Sequence, residues 1–292
     1  MKDIVYLNGK LLPLSQAKIS PLDHGFLYGY GLFETMRAYN GAIFLLERHL
    51  ARLYKAVETL GMSHRLASHD LEKACYNVLN ANELADARIR LTISAGEGDM
   101  IPNPDTCKGI TVFIVAQKLV TLSPENYEKG FRAIISSSRR NSQSSISQLK
   151  TACYLENILA RQEARAVGAD ESVILNERGL VAEGSSSNIF LVNKQILFTP
   201  SLECGALPGI TREAVLELAQ SLGIKAIETE IEPEKLLQSE EAFFTNSIIE
   251  IMPLTYIGGS PIGSGKAGIL TQQIMTAYKK LLADYQLKKT IN

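Results

Sequence analysis

The chain has 292 residues, and its 30 lysines and arginines nearly balance its 31 aspartates and glutamates. With 46% hydrophobic and 21% charged residues it has enough apolar surface to offset chain entropy, which excludes a disordered protein, and its near-zero net charge argues against nucleic-acid binding. At this length we expect one large domain or two smaller ones.

The first predicted elements alternate between strands and helices. Asn8-Gly9 lies between two short apolar runs and predicts a β-hairpin. Leucines at helical spacing predict a helix over 46–60, and a second helix begins near Leu71. Alternating apolar residues predict a half-buried strand over 88–96, and the apolar run at 109–116 predicts a strand that is more fully buried.

A domain boundary is predicted before the second half of the chain. Residues 118–130 lose periodicity and contain Ser-Pro, so we expect domains at 1–120 and 131–292, joined by a linker at 121–130. The polar residues 139–148 predict a loop. The elements expected after it are a helix from about 153 to 167, strands at 171–176, 188–192 and 195–199, a helix from Thr211 to Gly223, strands at 242–245 and 251–257, and a helix after Gly265. This interleaving predicts a mixed α/β protein.

Cysteine usage and the N-terminal residues bear on the compartment. The four cysteines, at positions 75, 107, 153 and 204, form no Cys-x-x-Cys pair, so we expect buried free thiols rather than disulfides or a zinc site. The first ten residues lack the apolar core of a signal peptide, and no apolar stretch reaches the roughly 20 residues of a membrane helix. We therefore expect a cytoplasmic protein without membrane association.

Several familiar catalytic motifs are incomplete in this sequence. GSGK at 263–266 does not match a phosphate-binding loop, because Ser260 replaces the first glycine of that motif and Ala267 follows the lysine. The four histidines form no metal-ligand motif, and the Gly-x-Ser-x-Gly elbow of many serine hydrolases is missing. The sequence therefore predicts no bound metal.

Three segments are more specialised. In GALPGITRE (205–213) a turn leads into a helix whose first N–H groups, with the Thr211 hydroxyl, can bind an anion. In VAEGSSSNIF (181–190) Glu183 stands next to a glycine and three serines, where a carboxylate can anchor hydrogen bonds. Lys150 stands just before a predicted amphipathic helix, where a lysine side chain is ordinarily solvated. A functional role for it is worth considering only if a cofactor needs an amine. Taken one at a time, a capped helix, an exposed acid and a solvated lysine are the ordinary interpretations.

Taken together with other segments, these three resemble the class IV pyridoxal-phosphate enzymes, which include branched-chain aminotransferases, D-amino-acid aminotransferases and 4-amino-4-deoxychorismate lyases. The resemblance covers nearly the whole chain and rests on SPLDHGFLYGYGLFETMR, LLERHLARL, LKTACYLEN, VAEGSSSNIF, GALPGITRE and FFTNSIIEIMPL in this order. It implies fold type IV, with a small N-terminal α/β domain, a larger C-terminal domain with a barrel-like sheet, and the cofactor between them. It also implies a homodimer that acts on a small-molecule amine or amino acid.

The resemblance implies a role in binding pyridoxal 5′-phosphate for each matching residue. Lys150 matches the lysine that holds the cofactor as a Schiff base and moves the substrate proton. Glu183 matches the acid that pairs with the pyridine nitrogen, and Arg52 matches the arginine on the phosphate. The remaining implied cofactor contacts are Tyr154 near the phenol oxygen, Leu207 against the ring, Ile210 and Thr211 at the phosphate-binding helix start, and Asn246 and Ser247 at the closure of the phosphate site.

Some motifs of the family differ between its aminotransferases and its lyases. Branched-chain aminotransferases typically read Phe-Glu-Gly-Ile-Arg and carry an acidic residue shortly after the cofactor glutamate. Here FETMR at 33–37 resembles the lyases, and EGSSSN at 183–188 resembles the lyases and the D-amino-acid enzymes. The Arg-x-His carboxylate trap of the D-amino-acid enzymes has no counterpart in GEGDMIPNPD (96–105).

We therefore expect an aminodeoxychorismate lyase, which forms 4-aminobenzoate and pyruvate in folate synthesis. Because that substrate carries two carboxylates, Arg37, Arg139 and Arg140 are candidate contacts, with surface charge or structural pairing as the equal alternative. The second hypothesis is a branched-chain or related aminotransferase using 2-oxoglutarate, which the segment KTACYLENILARQEA also resembles. A third hypothesis, a non-catalytic relative kept for binding or scaffolding, is disfavoured by the intact Lys150, Glu183 and Arg52.

Overall fold

The computed structural model describes residues 3–66 and 68–291. The chain forms two units, and each is built on its own β-sheet. The first unit comprises Met1–Val120, Leu149–Cys153 and Tyr285–Asn292, and the second comprises Thr121–Gln148 and Tyr154–Asp284.

The first unit contains a six-stranded antiparallel sheet with the strand order β2-β1-β6-β5-β3-β4. Its strands are β1 Ile4–Leu7, β2 Lys10–Pro13, β3 Gly31–Tyr39, β4 Ala42–Ile43, β5 Ala87–Ser94 and β6 Thr111–Lys118, and its helices are α1 His24–Tyr28, α2 Leu46–Thr59, α3 Ser63–Leu66 and α4 Leu71–Ala81. The predicted hairpin is confirmed: Asn8 and Gly9 both have positive φ, as a two-residue turn between right-twisted strands requires. Helices α2 and α4 bury their apolar faces in a core shared with this sheet, which explains the leucine spacing seen in the sequence.

The second unit contains a nine-stranded sheet with the order β12-β11-β10-β13-β14-β7-β8-β9, and β15 pairs with β14. Its strands are β7 Phe131–Arg140, β8 Glu171–Asn176, β9 Val181–Gly184, β10 Asn188–Asn193, β11 Ile196–Pro200, β12 Ala226–Thr229, β13 Glu241–Asn246, β14 Glu250–Ile257 and β15 Ser260–Pro261. Its helices are α5 Pro124–Lys129, α6 Leu155–Ala166, α7 Ile210–Ser221 and α8 Pro233–Leu237, and α9 Ile269–Ile291 begins in this unit and ends in the first. The mixed α/β class is confirmed.

The change of unit falls between Val120 and Thr121, and the stretch predicted as a linker, residues 121–130, lies in the second unit. This stretch contains α5, because Ser123 and Asn126 form a capping box and Pro124 occupies the first turn, where a missing N–H costs nothing. The predicted loop at 139–148 also starts too early, since β7 continues to Arg140.

The sequence predicts residues 131–292 as one continuous domain, but a short internal stretch of these residues returns to the first unit. Residues Leu149–Cys153 lie against β3 there: the Phe33 N–H donates to the Lys150 carbonyl at 2.9 Å, and the Ala152 N–H donates to the Gly31 carbonyl at 2.8 Å. Sequence periodicity cannot show such a pairing, because it depends on contacts between distant residues.

Three cysteines are buried as expected, but the expectation is wrong for Cys153, which is exposed just before α6 with its thiol 3.5 Å from the Gly29 carbonyl. None of the helices described in residues 3–66 and 68–291 has both the length and the apolar character needed to cross a membrane.

Candidate active site

Lys150 lies in the first unit, beside strand β3. Its backbone carbonyl accepts the hydrogen bond from the Phe33 N–H, and its neighbour Thr151 forms an isolated bridge with Leu32. The Lys150 amine lies 4.5 Å from the centre of the Phe33 ring. The main chain from the lysine to Ala152 is therefore fixed by β3, and the half-buried lysine side chain rests on an aromatic ring.

Arg52 also connects to β3, through the buried carboxylate of Glu34. The Arg52 Nε and Nη2 donate to the two Glu34 oxygens at 2.8 and 2.6 Å, a bidentate pair. The His49 Nδ1 lies 2.7 Å from Glu34 Oε2, and both His49 and Glu34 are buried. Glu34 thus holds two side chains of α2, spaced three residues apart so that they share one helix face.

The charges of this cluster shift its titration. Burial alone raises the pKa of Glu34, but the Arg52 guanidinium and the His49 contact outweigh it and lower the pKa to about 2. Burial lowers the pKa of His49, although its hydrogen bond with Glu34 acts in the opposite direction. The carboxylate is therefore the form of Glu34 that folding favours.

A pH dependence of stability follows from this lowered pKa. Glu34 has an ordinary pKa of 4.5 and a folded-state value of about 2, so the unfolded chain binds the proton first as the pH falls. The stabilisation is complete above pH 4.5 and is lost as the pH falls toward 2. We expect the stability difference between the wild type and Glu34→Gln to shrink over this window in urea unfolding curves. A difference that is the same near the bottom of this window as at neutral pH would contradict this assignment.

Glu183 lies in the second unit, on β9, with two partners that orient its carboxylate. Its Oε2 accepts from the Leu207 N–H at 2.9 Å, and its Oε1 accepts from Arg140 Nη2 at 3.1 Å. The Leu207 carbonyl in turn accepts from Asn188 Nδ2 at 2.8 Å. Glu183 is only 7% exposed, so a cation and a backbone amide compensate its burial.

The start of α7 follows shortly after Leu207. Gly209 is the N-cap residue and supplies no side chain to cap the helix, and a Cβ there would collide with the Asn188 Oδ1. Glycine avoids this collision without any movement of the Asn188 side chain. The first N–H groups of a helix have no acceptors within the helix and carry positive potential, and Ile210 and Thr211 provide them here.

Tyr154 and Asn246 meet the turn that follows Glu183. The Tyr154 hydroxyl donates to the Ser185 carbonyl at 3.2 Å, and Asn246 Nδ2 donates to the Ser186 carbonyl at 3.0 Å. Asn246 Oδ1 also accepts from the N–H groups of residues 248 and 249 at 2.8 and 2.9 Å, which fixes the turn that contains Ser247.

Each unit therefore gathers part of the predicted set. The first unit brings Lys150 and Arg52 to neighbouring positions of β3. The second unit gathers the others around the turns at 184–188 and 205–211; they are Tyr154, Glu183, Leu207, Ile210, Thr211, Asn246 and Ser247.

The candidate arginines for substrate carboxylates have other contacts. Arg139 Nη1 donates to three backbone carbonyls of its own strand, at residues 136–138. Arg140 pairs with Glu183 and lies 3.6 Å from Glu156, so its role here is to support the Glu183 carboxylate. The Arg37 guanidinium stacks on Tyr39, 4.3 Å from the ring centre.

Sequence reasoning missed Glu34, His49 and Asn188 as parts of this site, and it gave Arg140 a different role. For His49 a signal existed, because it stands one helical turn before Arg52. For the others the contacts join residues from different elements, which sequence spacing does not reveal.

The donors fit pyridoxal 5′-phosphate. Lys150 carries the amine that a pyridoxal aldehyde needs. Glu183 is a buried carboxylate suited to a protonated ring nitrogen, and Arg52 carries a guanidinium suited to a phosphate dianion. Because the N-cap of α7 is Gly209, no N-cap side chain bonds to the first N–H groups of this helix, and such groups can bind a phosphate.

Comparison with known proteins agrees with these features. The family described as "Amino-transferase class IV" matches residues 31–257. Aminodeoxychorismate lyase of Bacillus subtilis is 37% identical over 279 residues, 95% of this chain and 94% of that protein. The branched-chain-amino-acid aminotransferase of Escherichia coli is 32% identical over 283 residues, covering 94% and 92%. The branched-chain amino acid aminotransferase from T.th., solved with pyridoxamine 5′-phosphate, superposes with a TM-score of 0.88 at 30% identity, over 96% of this chain and 94% of that one.

Proposed function

Within the class IV aminotransferases, the family of fold-type IV pyridoxal-phosphate enzymes to which the chain belongs, we propose that it is an aminodeoxychorismate lyase. The protein is an enzyme that uses pyridoxal 5′-phosphate on a small-molecule substrate. The proposed reaction splits 4-amino-4-deoxychorismate into 4-aminobenzoate and pyruvate, as a step of folate synthesis in the cytoplasm.

The observation that carries the choice of lyase is the hydroxyl of Thr35 on β3. Phe33 and Thr35 are two residues apart, so their side chains lie on the same face of the strand, and the Lys150 amine rests against Phe33. The branched-chain motif Phe-Glu-Gly-Ile-Arg has glycine at this position. A lyase must break a carbon–oxygen bond next to the amine-bearing carbon, and the leaving oxygen needs a proton that a hydroxyl can supply.

The residues of the two units have distinct proposed tasks. Lys150 would hold the cofactor and move the proton of the amine-bearing carbon. The proposed phosphate contacts are Arg52 in the first unit and, in the second unit, Ile210 and Thr211 at the start of α7 and Asn246 and Ser247 at the end of β13. Glu183, supported by Arg140, would keep a proton on the pyridine nitrogen. Leu207 would pack against the ring, and Tyr154 would contact its phenol oxygen. The bound cofactor supplies an electron sink for the pair left at the substrate carbon.

Pyruvate release is the test of the proposed reaction. The protein loaded with pyridoxal 5′-phosphate is incubated with 4-amino-4-deoxychorismate and no oxo-acid acceptor. If the protein is the lyase, we expect pyruvate and 4-aminobenzoate to form in equal amounts over many turnovers. If no pyruvate forms from protein that carries bound cofactor, the lyase assignment fails.

A branched-chain aminotransferase is the second candidate, because the E. coli enzyme and the T.th. structure match almost the full chain. It predicts the opposite result in paired assays: steady turnover of branched-chain amino acids with 2-oxoglutarate, and no pyruvate from the aminodeoxychorismate.

Removal of the Thr35 hydroxyl provides a more specific prediction. Thr35→Val keeps the β-branched shape that suits a strand, so we expect cofactor binding to persist while the rate of pyruvate release falls by about 100-fold. Thr276→Val, which removes an exposed hydroxyl on α9, is the matched control and should keep the wild-type rate. An unchanged rate in Thr35→Val would remove the proposed role of this hydroxyl.

We also propose that the enzyme is a homodimer, because α6 exposes an apolar stripe. Leu155, Ile158 and Leu159 are 68%, 48% and 46% exposed, at spacings that place them on one helix face. We expect Ile158→Glu to convert dimers to monomers in analytical ultracentrifugation, whereas Leu222→Glu, at the end of α7, should not. Dimers that persist in Ile158→Glu at low micromolar concentration would count against this interface.

A further inference from the structure

Glu171 is a buried acid at the start of β8 that the proposed mechanism does not use. It is 1% exposed, and five hydrogen-bond donors converge on its two oxygens. Oε1 accepts from the N–H and hydroxyl of Ser185 and from the N–H of Ser172. Oε2 accepts from the hydroxyls of Ser186 and Ser187 at 3.1 and 3.2 Å, with the nearby Arg161 guanidinium at 3.7 Å. The whole serine triplet after Gly184 is therefore anchored on one carboxylate.

The same serines receive hydrogen bonds from two proposed cofactor contacts. The Ser185 carbonyl accepts from the Tyr154 hydroxyl at 3.2 Å and from Asn157 Nδ2 at 2.8 Å. The Ser186 carbonyl accepts from Asn246 Nδ2 at 3.0 Å. In these hydrogen bonds Tyr154 and Asn246 bind serine carbonyls and not Glu171. Glu171 can therefore affect the positions of these two side chains only through the backbone of the serine turn.

We propose that Glu171 is a positioning residue, which sets the placement of Tyr154 and Asn246 at the cofactor by fixing the backbone of Ser185 and Ser186. This inference rests on the proposed cofactor contacts of those two residues. A carboxylate suits the task because both of its oxygens accept, whereas an amide would present one NH₂ group to surrounding donors. Leaving buried donors without an acceptor is unfavourable, so the turn would rearrange.

The test uses Glu171→Gln and measures the cofactor rather than turnover. The readouts are the dissociation constant of pyridoxal 5′-phosphate and the pH midpoint of the visible absorption band of the bound cofactor. We expect the dissociation constant to rise by about tenfold and the midpoint to move in the same direction as in Tyr154→Phe. Glu177→Gln is the matched control, since Glu177 also accepts from a serine N–H and hydroxyl but lies exposed just after β8.

A double variant separates positioning from a general loss of structure. If Glu171 acts through Tyr154, the combination of Glu171→Gln with Tyr154→Phe shifts the midpoint no further than Tyr154→Phe alone. In the double variant Glu171→Gln with Thr211→Ala, which lies on α7, the losses of cofactor affinity caused by the two substitutions should add. Full additivity with Tyr154→Phe, or wild-type affinity and midpoint in Glu171→Gln, would overturn the inference.

A milder variant covers the case in which Glu171→Gln does not fold. Ser186→Ala removes one donor to Glu171 and leaves the carbonyl that Asn246 uses, so we expect a smaller shift of affinity in the same direction. If Glu171→Gln does not fold and Ser186→Ala binds pyridoxal 5′-phosphate with wild-type affinity, Glu171 is a purely structural residue. That result would overturn the inference. If Tyr154→Phe alone leaves the band unchanged, the contact assigned to Tyr154 fails and this inference fails with it, while the pyruvate assay still decides the reaction.

Discussion

Alanine at position 150 is expected to abolish turnover, with a fall in rate of about 1,000-fold or more, because Lys150 is proposed both to hold the cofactor and to transfer the substrate proton. Its main chain is fixed to β3 through the Phe33 N–H, and its amine lies 4.5 Å from the Phe33 ring centre. No other residue of LKTACYLEN carries an amine, so the chain offers no substitute at this position.

The measurement pairs the rate of pyruvate release with the visible band of the bound cofactor, and both should be lost in Lys150→Ala. Lys150→Arg is the informative companion, because arginine keeps the positive charge but remains protonated and cannot act as the free amine. We expect it to be as inactive as the alanine variant. Lys118→Ala, at the exposed end of β6, should retain the wild-type rate. Full turnover by Lys150→Ala would refute the proposed mechanism.

Replacement of Glu34 by glutamine is expected to have the largest effect on stability. Glu34 is 1% exposed and pairs with Arg52 at 2.6 Å and with His49 at 2.7 Å. Removing one partner of a buried ion pair leaves the other charge without compensation, which typically costs about 3–5 kcal/mol. We expect a decrease of this size in the free energy of unfolding at neutral pH, measured by urea denaturation.

Two further measurements distinguish this cluster from ordinary surface charge. Glu58→Gln, on the exposed side of α2, should change stability by less than about 0.5 kcal/mol. Since Glu34 orients Arg52, the Glu34→Gln protein that remains folded should also bind pyridoxal 5′-phosphate more weakly. Wild-type stability and affinity in Glu34→Gln would show that Arg52 does not depend on this carboxylate.

The periodic elements could be predicted from the sequence because their signals are local. The hairpin at Asn8-Gly9, the helix α2 with its leucine spacing and the helix α7 after Pro208-Gly209 all follow from turn chemistry and helical periodicity. The sequence patterns did not predict strands β3 and β7. β3 is buried along nearly its whole length and so lacks the alternation that marks a half-buried strand, and β7 ends in the serines and arginines of SSSRR.

The sequence alone was enough to propose the reactive groups, because Lys150, Glu183 and Arg52 stand in segments that resemble motifs of the class IV family and have the chemistry that pyridoxal phosphate requires. How these groups are held could be read only from the folded structure. The return of Leu149–Cys153 to β3, the pairing of Arg52 with Glu34, and the pairing of Arg140 with Glu183 join residues from separate elements. Local patterns report backbone conformation over a few residues, whereas a buried ion pair depends on which elements the folded core brings into contact.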